Sequence, residues 1–243
     1  MRLAVRLILL VAVLLVMLPL HGLWRLGRLS SPWPRRFLGA VAWIVGARVR
    51  VVGEPCRRQV VLLANHLSWL DIPLLAGTTG TGFVAKADLA NVPLVGWLCS
   101  LNHTVFVSRD DRFGIAGQIE RLRGALACDR PVAIFPEGTT GDGGTLLPFK
   151  AALLAALDPP PPGLLVQPVR IDYGEATAEL AWFGEESGAR HARRVLSRRG
   201  RFSATLSFLP PFDPRDVRGR KAIAAEARRR IVAAAGESGF GPV

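Results

Sequence analysis

Asn65-His66-Leu67-Ser68-Trp69-Leu70-Asp71 follows directly on the uncharged run Val60-Val61-Leu62-Leu63-Ala64. Five consecutive apolar residues bounded by polar turn residues predict a buried strand, so the histidine stands at a strand exit. Open α/β sheets place their chemistry at such exits. A neutral imidazole there can take a proton from a hydroxyl, and a nearby carboxylate, here Asp71, can fix its tautomer and stabilise the imidazolium. Ser68-x-x-Asp71 also fits a capping box that starts a helix, with Pro73 confined to the first turn. The residues leave both readings open. About seventy residues on, Ile134-Phe135-Pro136-Glu137-Gly138-Thr139 forms a second strand exit with a tight polar loop.

Outward from these loops, strands are predicted at Val49–Val52, Val60–Ala64, Gly82–Ala85, His103–Val107, Val132–Phe135, Leu164–Ile171, Ala178–Trp182 and Arg201–Phe208. Helices are predicted at 72–77, 93–101, 111–127, 148–157, 187–198 and 215–235. The helix at 111–127 has the clearest signal, with Ile115, Ile119, Leu122 and Leu126 on one face. This alternation predicts an α/β fold, a mixed sheet flanked by helices.

The chain is strongly basic, with a net charge of +12, and half its residues are apolar. Residues 1–60 contain ten arginines against one acid, Glu54. A second run, Arg190 to Arg201, contains no acid. Basic clusters suit nucleic acid or anionic lipid. These flank apolar segments, and no nucleic-acid motif or aromatic-interleaved basic face appears, so membrane lipid is the expected partner and nucleic acid is not. For Arg190–Arg201 a solvated helix face is an equal reading. Leu7–Leu20 is an uncharged run of fourteen residues, short of the about twenty that a spanning helix needs. A second apolar stretch, Phe37–Ala47, follows Ser31-Pro32-Trp33-Pro34. Arginines on both flanks of Leu7–Leu20 favour both ends on the cytoplasmic side. The expectation is two domains: a membrane-inserted helical segment over 1–47, dipping into one leaflet with Trp24 and Trp33 at the interface, and a second domain over 48–243. A single spanning helix and a signal peptide compete with it, although His21-Gly22-Leu23-Trp24 offers no small-residue cleavage site. Cys56, Cys99 and Cys128 are scattered, and the four histidines show no metal-ligand spacing, so no metal is expected.

Asn65-His66-x-Ser68-x-x-Asp71 followed by Phe135-Pro136-Glu137-Gly138-Thr139 resembles the glycerolipid acyltransferases of the 1-acylglycerol-3-phosphate acyltransferase type. Lys86-Ala87-Asp88-Leu89 running into Pro93-Leu94-Val95-Gly96-Trp97, and Val166-Gln167-Pro168-Val169, resemble two further family segments. The resemblance covers roughly residues 50 to 235. It implies a membrane-bound O-acyltransferase that moves a fatty acyl chain from acyl-CoA or acyl carrier protein to a lysolipid hydroxyl, at the cytoplasmic face of the membrane and with no cofactor. His66 would be the general base and Asp71 its partner, with Asn65 and Ser68 bracing the loop. Arg109, after Val105-Phe106-Val107-Ser108, would meet the acceptor's anionic headgroup with its two-pronged fork. Glu137 would hold Arg109 or the glycerol hydroxyls, Gly138 would let backbone amides approach the substrate beside Thr139, and Lys86 would help with the oxyanion or headgroup. The chain departs from the family in three places, the first being Asn102 where an upstream glycine is expected. Ser108 stands where aspartate is frequent. Thr140 stands where many phosphatidate-forming relatives carry arginine, a pattern that resembles lyso-ornithine-lipid and some other lysophospholipid acyltransferases. The acceptor is therefore lysophosphatidate or, alternatively, lyso-ornithine lipid or another lysolipid. A hydrolase or transacylase using the same pair, and a non-catalytic lipid-binding protein, are the readings from other classes. No Gly-x-Ser-x-Gly elbow appears, so a covalent acyl-serine is not expected.

Overall fold

The strand that ends at the histidine lies in the middle of the sheet. The computed structural model of the chain describes residues 1–107 and 115–236. Among these, seven strands form one sheet: β1 (Ala47–Val52), β2 (Val60–Ala64), β3 (Gly82–Lys86), β4 (Val105–Val107), β5 (Val132–Ile134), β6 (Leu165–Asp172) and β7 (Phe202–Phe208), in the order β1-β7-β6-β2-β5-β3-β4. The pairs β2–β5, β2–β6, β3–β5, β3–β4 and β1–β7 are parallel, and β6–β7 is antiparallel. The sheet is mixed, as the alternation predicts. Because β6, β2, β5, β3 and β4 run the same way, their carboxyl ends lie along one edge.

Helices cover both faces, which is why β2 is apolar throughout and buried at every position. Val60, Leu62 and Ala64 pack in one layer with residues of α2 (Trp33–Val45), α3 (Asp71–Thr79) and α7 (Gly188–Ser197). Val61 and Leu63 face the other layer, built from α5 (Ile115–Leu126), a 3-10 helix at Ala151–Leu157, and α8 (Gly219–Ala233). The helices α4 (Val95–Leu101) and α6 (Thr177–Leu180) are short. The predicted strand Ala178–Trp182 is thus a correction: its first residues close a helical turn, and Trp182 continues in irregular chain. The helix predicted at 148–157 is a 3-10 segment starting later, after Pro148.

The amino-terminal helix α1 runs Arg2–Leu26, well beyond the uncharged run Leu7–Leu20. At 1.5 Å per residue its 25 residues are about 37 Å long, so the length argument against spanning does not hold. By length and composition this helix could cross a membrane. Its start nevertheless meets the domain, and its finish packs on α2. Near its start, Arg6 donates to the carbonyls of Val195 and Leu196 at the end of α7, and Leu3 and Leu10 pack on the core. Near its finish, Trp24 meets Trp33 edge-on, with ring centroids 5.7 Å apart. Its outer residues, among them Ile8, Val11, Leu15 and Val16, are exposed. The second apolar stretch of the segment is half core: α2 buries Val41, Ala42, Ile44 and Val45 and crosses α3 closely where Gly39 meets Gly77. On α7 Arg194 pairs with Glu186, and just past its end Arg198 pairs with Glu179.

Candidate active site

His66 leaves β2 and Asp71 opens α3, so the short loop between them folds back until the two side chains meet. Asp71 Oδ2 lies 2.7 Å from His66 Nδ1. The same oxygen accepts the amide N–H of Leu67 at 2.7 Å and of Ser68 at 3.1 Å, and Oδ1 accepts the hydroxyl of Tyr173. Asp71 is fully buried. A buried carboxylate needs such donors to offset its lost hydration. Of the capping box only the return half forms, the Ser68 amide to Asp71. The Ser68 hydroxyl accepts from Leu70 instead, and α3 has no side-chain cap. Asp71 is foremost the imidazole's partner.

With Nδ1–H donating to Asp71, the other ring nitrogen, Nε2, is the basic one. Among the described residues no protein group bonds it, and 18% of the His66 side chain is exposed. One ring face is closed: Phe135, just past β5, stacks on the imidazole at 4.0 Å and 11°, and Phe83 of β3 stacks on Phe135 in turn. The result is an imidazole held on one edge and one face, open at the edge that bears Nε2.

Glu137 joins the two motif loops from within. Its Oε1 accepts the His66 amide at 2.7 Å and its Oε2 the Leu147 amide at 3.0 Å. The carboxyl is 2% exposed. An inward-facing carboxyl that accepts two amides braces the loop, and the contact with Arg109 read from the sequence falls outside the described residues. Burial pushes its pKa up to about 7, and Asp71 adds to the rise, against the lowering effect of the two amides and Arg228. Gly138 adopts φ +69°, and its amide donates to the Phe135 carbonyl. This is a turn that a Cβ would strain. Gly141 donates to the His66 carbonyl at 2.8 Å. The amides of Thr139 and Thr140 carry no bond among the described residues, and Thr139 is exposed.

The other candidates stand at the same edge. Lys86 ends β3, is exposed, and pairs in register with Val107 at the end of β4. Arg109 follows two residues later and lies outside the described residues, so its expected headgroup contact has no structural counterpart here. Asn65 braces as expected: its side chain bonds both the N–H and the C=O of Ile171 on β6.

Sequence reasoning missed Tyr173. It is the chain's single tyrosine, placed just past the exit of β6 in Ile171-Asp172-Tyr173-Gly174, and that position was the available signal. Burial, and then the charge of Asp71, push its pKa well up, so it remains a donor. Trp182 was also missed as a support: its amide donates to the Leu67 carbonyl at 2.8 Å.

A family model described as acyltransferase matches residues 48–172. The chain is 34% identical over 239 residues to a lyso-ornithine lipid O-acyltransferase of Rhodobacter capsulatus, covering 93% of this chain and 83% of that one. It is 34% identical over 132 residues to a 1-acyl-sn-glycerol-3-phosphate acyltransferase of Neisseria gonorrhoeae, covering 53% and 51%. Among solved structures, the 1-acyl-sn-glycerophosphate acyltransferase PlsC of Thermotoga maritima superposes with a TM-score of 0.62 at 25% identity, over 82% of this chain and 76% of that one.

Proposed function

The chain belongs to the acyltransferase family, and from that premise we propose that it acylates the free hydroxyl of a lyso-ornithine lipid, drawing the acyl group from a thioester of coenzyme A or acyl carrier protein. The observation that carries the chemistry is the His66–Asp71 contact at 2.7 Å with Nε2 left open. The acceptor hydroxyl donates its proton to Nε2 as its oxygen attacks the thioester carbonyl. The resulting oxyanion needs donors, and the uncommitted amides of Thr139 and Thr140 stand in the same loop system. Collapse of the tetrahedral intermediate breaks the carbon–sulfur bond. The thiolate takes the proton back from the imidazolium, so the enzyme returns to its starting state. Asp71 holds the imidazole in the competent tautomer and stabilises its charged form.

Two observations favour the ornithine acceptor over lysophosphatidate. The match to a lyso-ornithine lipid O-acyltransferase extends over nearly the whole chain. Thr140 supplies no cation where many phosphatidate-forming relatives carry arginine. Lysophosphatidate is the second reading, favoured by the fold likeness and the shared motifs. The exposed apolar face of α1, with its start held against α7 and its finish on α2, supports attachment to one leaflet, and a cytosolic thioester donor is consistent with the cytoplasmic face.

The test is purified protein with labelled acyl-CoA or acyl carrier protein and a panel of lysolipids. Ornithine lipid should be the main product. Exclusive formation of phosphatidate would overturn the acceptor, and release of free fatty acid without acceptor would replace acyl transfer by hydrolysis.

A further inference from the structure

The segment after β3 exposes more apolar surface than a water-facing loop needs. Between Lys86 and Leu101, the side chains of Leu89, Val92, Leu94, Val95 and Trp97 are all exposed, Leu94 to 56% and Trp97 to 42%. Contiguous apolar patches of this kind mark contact sites.

Its backbone is constrained to present them. A 3-10 turn spans Ala87–Asn91. Gly96 then lies so close that a Cβ there would come within 2.2 Å of the Ala90 carbonyl oxygen. Between the two, Leu94 takes φ +65° and ψ −46°, and the Val95 amide donates to the Pro93 carbonyl at 2.7 Å, a γ-turn of the strained kind. A leucine held at positive φ with its side chain in solvent has no packing reason to be there.

The patch connects two features already described. At one end Lys86 belongs to the catalytic edge. At the other, the chain leaves α4 at Asn102 and His103, within electrostatic reach of Arg25 near the end of α1. The His103 imidazole is driven below its ordinary range by burial and then by the positive charges of Arg130 and Arg25.

We propose that Leu89–Trp97 is a second membrane-contacting element, which seats the catalytic edge on the leaflet so that a lysolipid passes to His66 without leaving the bilayer. This rests on the lysolipid reading of the site. The occupant is the lipid leaflet itself. Lys86 and Asp88 are the charged side chains of the segment, a balance that does not suit an acidic carrier protein, whereas tryptophan and branched apolar residues beside cations suit a bilayer interface.

Leu94→Asn and Trp97→Gln test it in the full-length protein. Asparagine tolerates positive φ, so the loop keeps its shape while losing its apolar tip. Each variant should lose about tenfold in acyl transfer to lysolipid embedded in phosphatidylglycerol–phosphatidylcholine vesicles, with transfer to a water-soluble short-chain lysolipid unchanged. Brominated phospholipid in the vesicles should quench the part of the tryptophan emission that Trp97→Phe removes. Equal loss on both acceptors, no loss on either, a Trp97 signal untouched by bromine, or a concentration-dependent dimer broken by the variants would each overturn the proposal. Failure of the wild-type protein to use any lysolipid would instead refute the lysolipid reading, and the quenching would still judge the loop.

Discussion

The hydroxyl of Tyr173 donates to Oδ1 of Asp71, while His66 holds the carboxylate's other oxygen. A residue from the end of β6 thus steadies the acid that steadies the base. Tyr173→Phe removes one donor from a fully buried carboxylate, and hydrogen bonds to charged groups are worth about 1.5–3 kcal/mol. Turnover should fall on the order of tenfold with both Michaelis constants unchanged. Steady-state kinetics beside a thermal melt decide it; a lower melting temperature at full turnover would leave Tyr173 a packing residue.

His66→Ala should retain fold and membrane partition, because Nε2 has no partner among the described residues and the loop is held independently by Glu137 and Asp71. Acyl transfer should drop by about 10²–10⁴. A folded variant with near-wild-type rate would exclude His66 as the base.

Glu137 predicts a pH dependence of stability. Its carboxyl titrates at about 7 in the folded chain against an ordinary 4.5. The folded state therefore binds this proton more tightly than the unfolded one. The stability so contributed is fully present below pH 4.5 and is lost as the pH rises through 7. Glu137→Gln cannot ionise, but it turns an amide NH₂ toward one of two N–H donors. It should melt lower throughout, without the wild-type decline between pH 5 and 7.5. Melting curves across that range settle it; parallel slopes would show that Glu137 is ionised throughout.

Thr140→Arg should restore a charge-assisted phosphate contact worth roughly 1.5–3 kcal/mol. Selectivity should move toward lysophosphatidate by about one to two decades. Competition between the two lysolipids in one assay measures it, and an unchanged ratio would show that position 140 does not meet the headgroup.

Gly77→Ala would set a Cβ 2.7 Å from the Gly39 Cα. Backbone faces backbone there, so α2 and α3 must separate. A loss of about 1–3 kcal/mol is expected, read by denaturant titration. A neutral result would mean that the two helices slide apart freely.

Much of this protein is legible in its sequence by itself. Val60–Ala64 can only be buried on both faces, which places β2 mid-sheet and His66 at an exit. The two motif loops identify the chemistry because residue type and spacing are local properties. The helix over 111–127 follows from its apolar period, and its described part runs as read. Other features depend on chain segments far apart. That Glu137 takes the amides of His66 and Leu147 onto its two oxygens is visible only once folding has brought them there. Tyr173 carries no motif, and only the parallel pairing of β6 with β2 delivers it to Asp71. Ala178–Trp182 reads as a short, largely apolar strand, yet no sheet position accepts it, so its first residues close a helical turn and Trp182 ties down Leu67. The uncharged run Leu7–Leu20 understates its helix, because Arg6 finds the carbonyls at the end of α7 and need not end the helix in water. Periodicity and motif spacing are set by neighbours along the chain, whereas the direction of a buried polar side chain is set by which backbone groups lack a partner once the layers have closed.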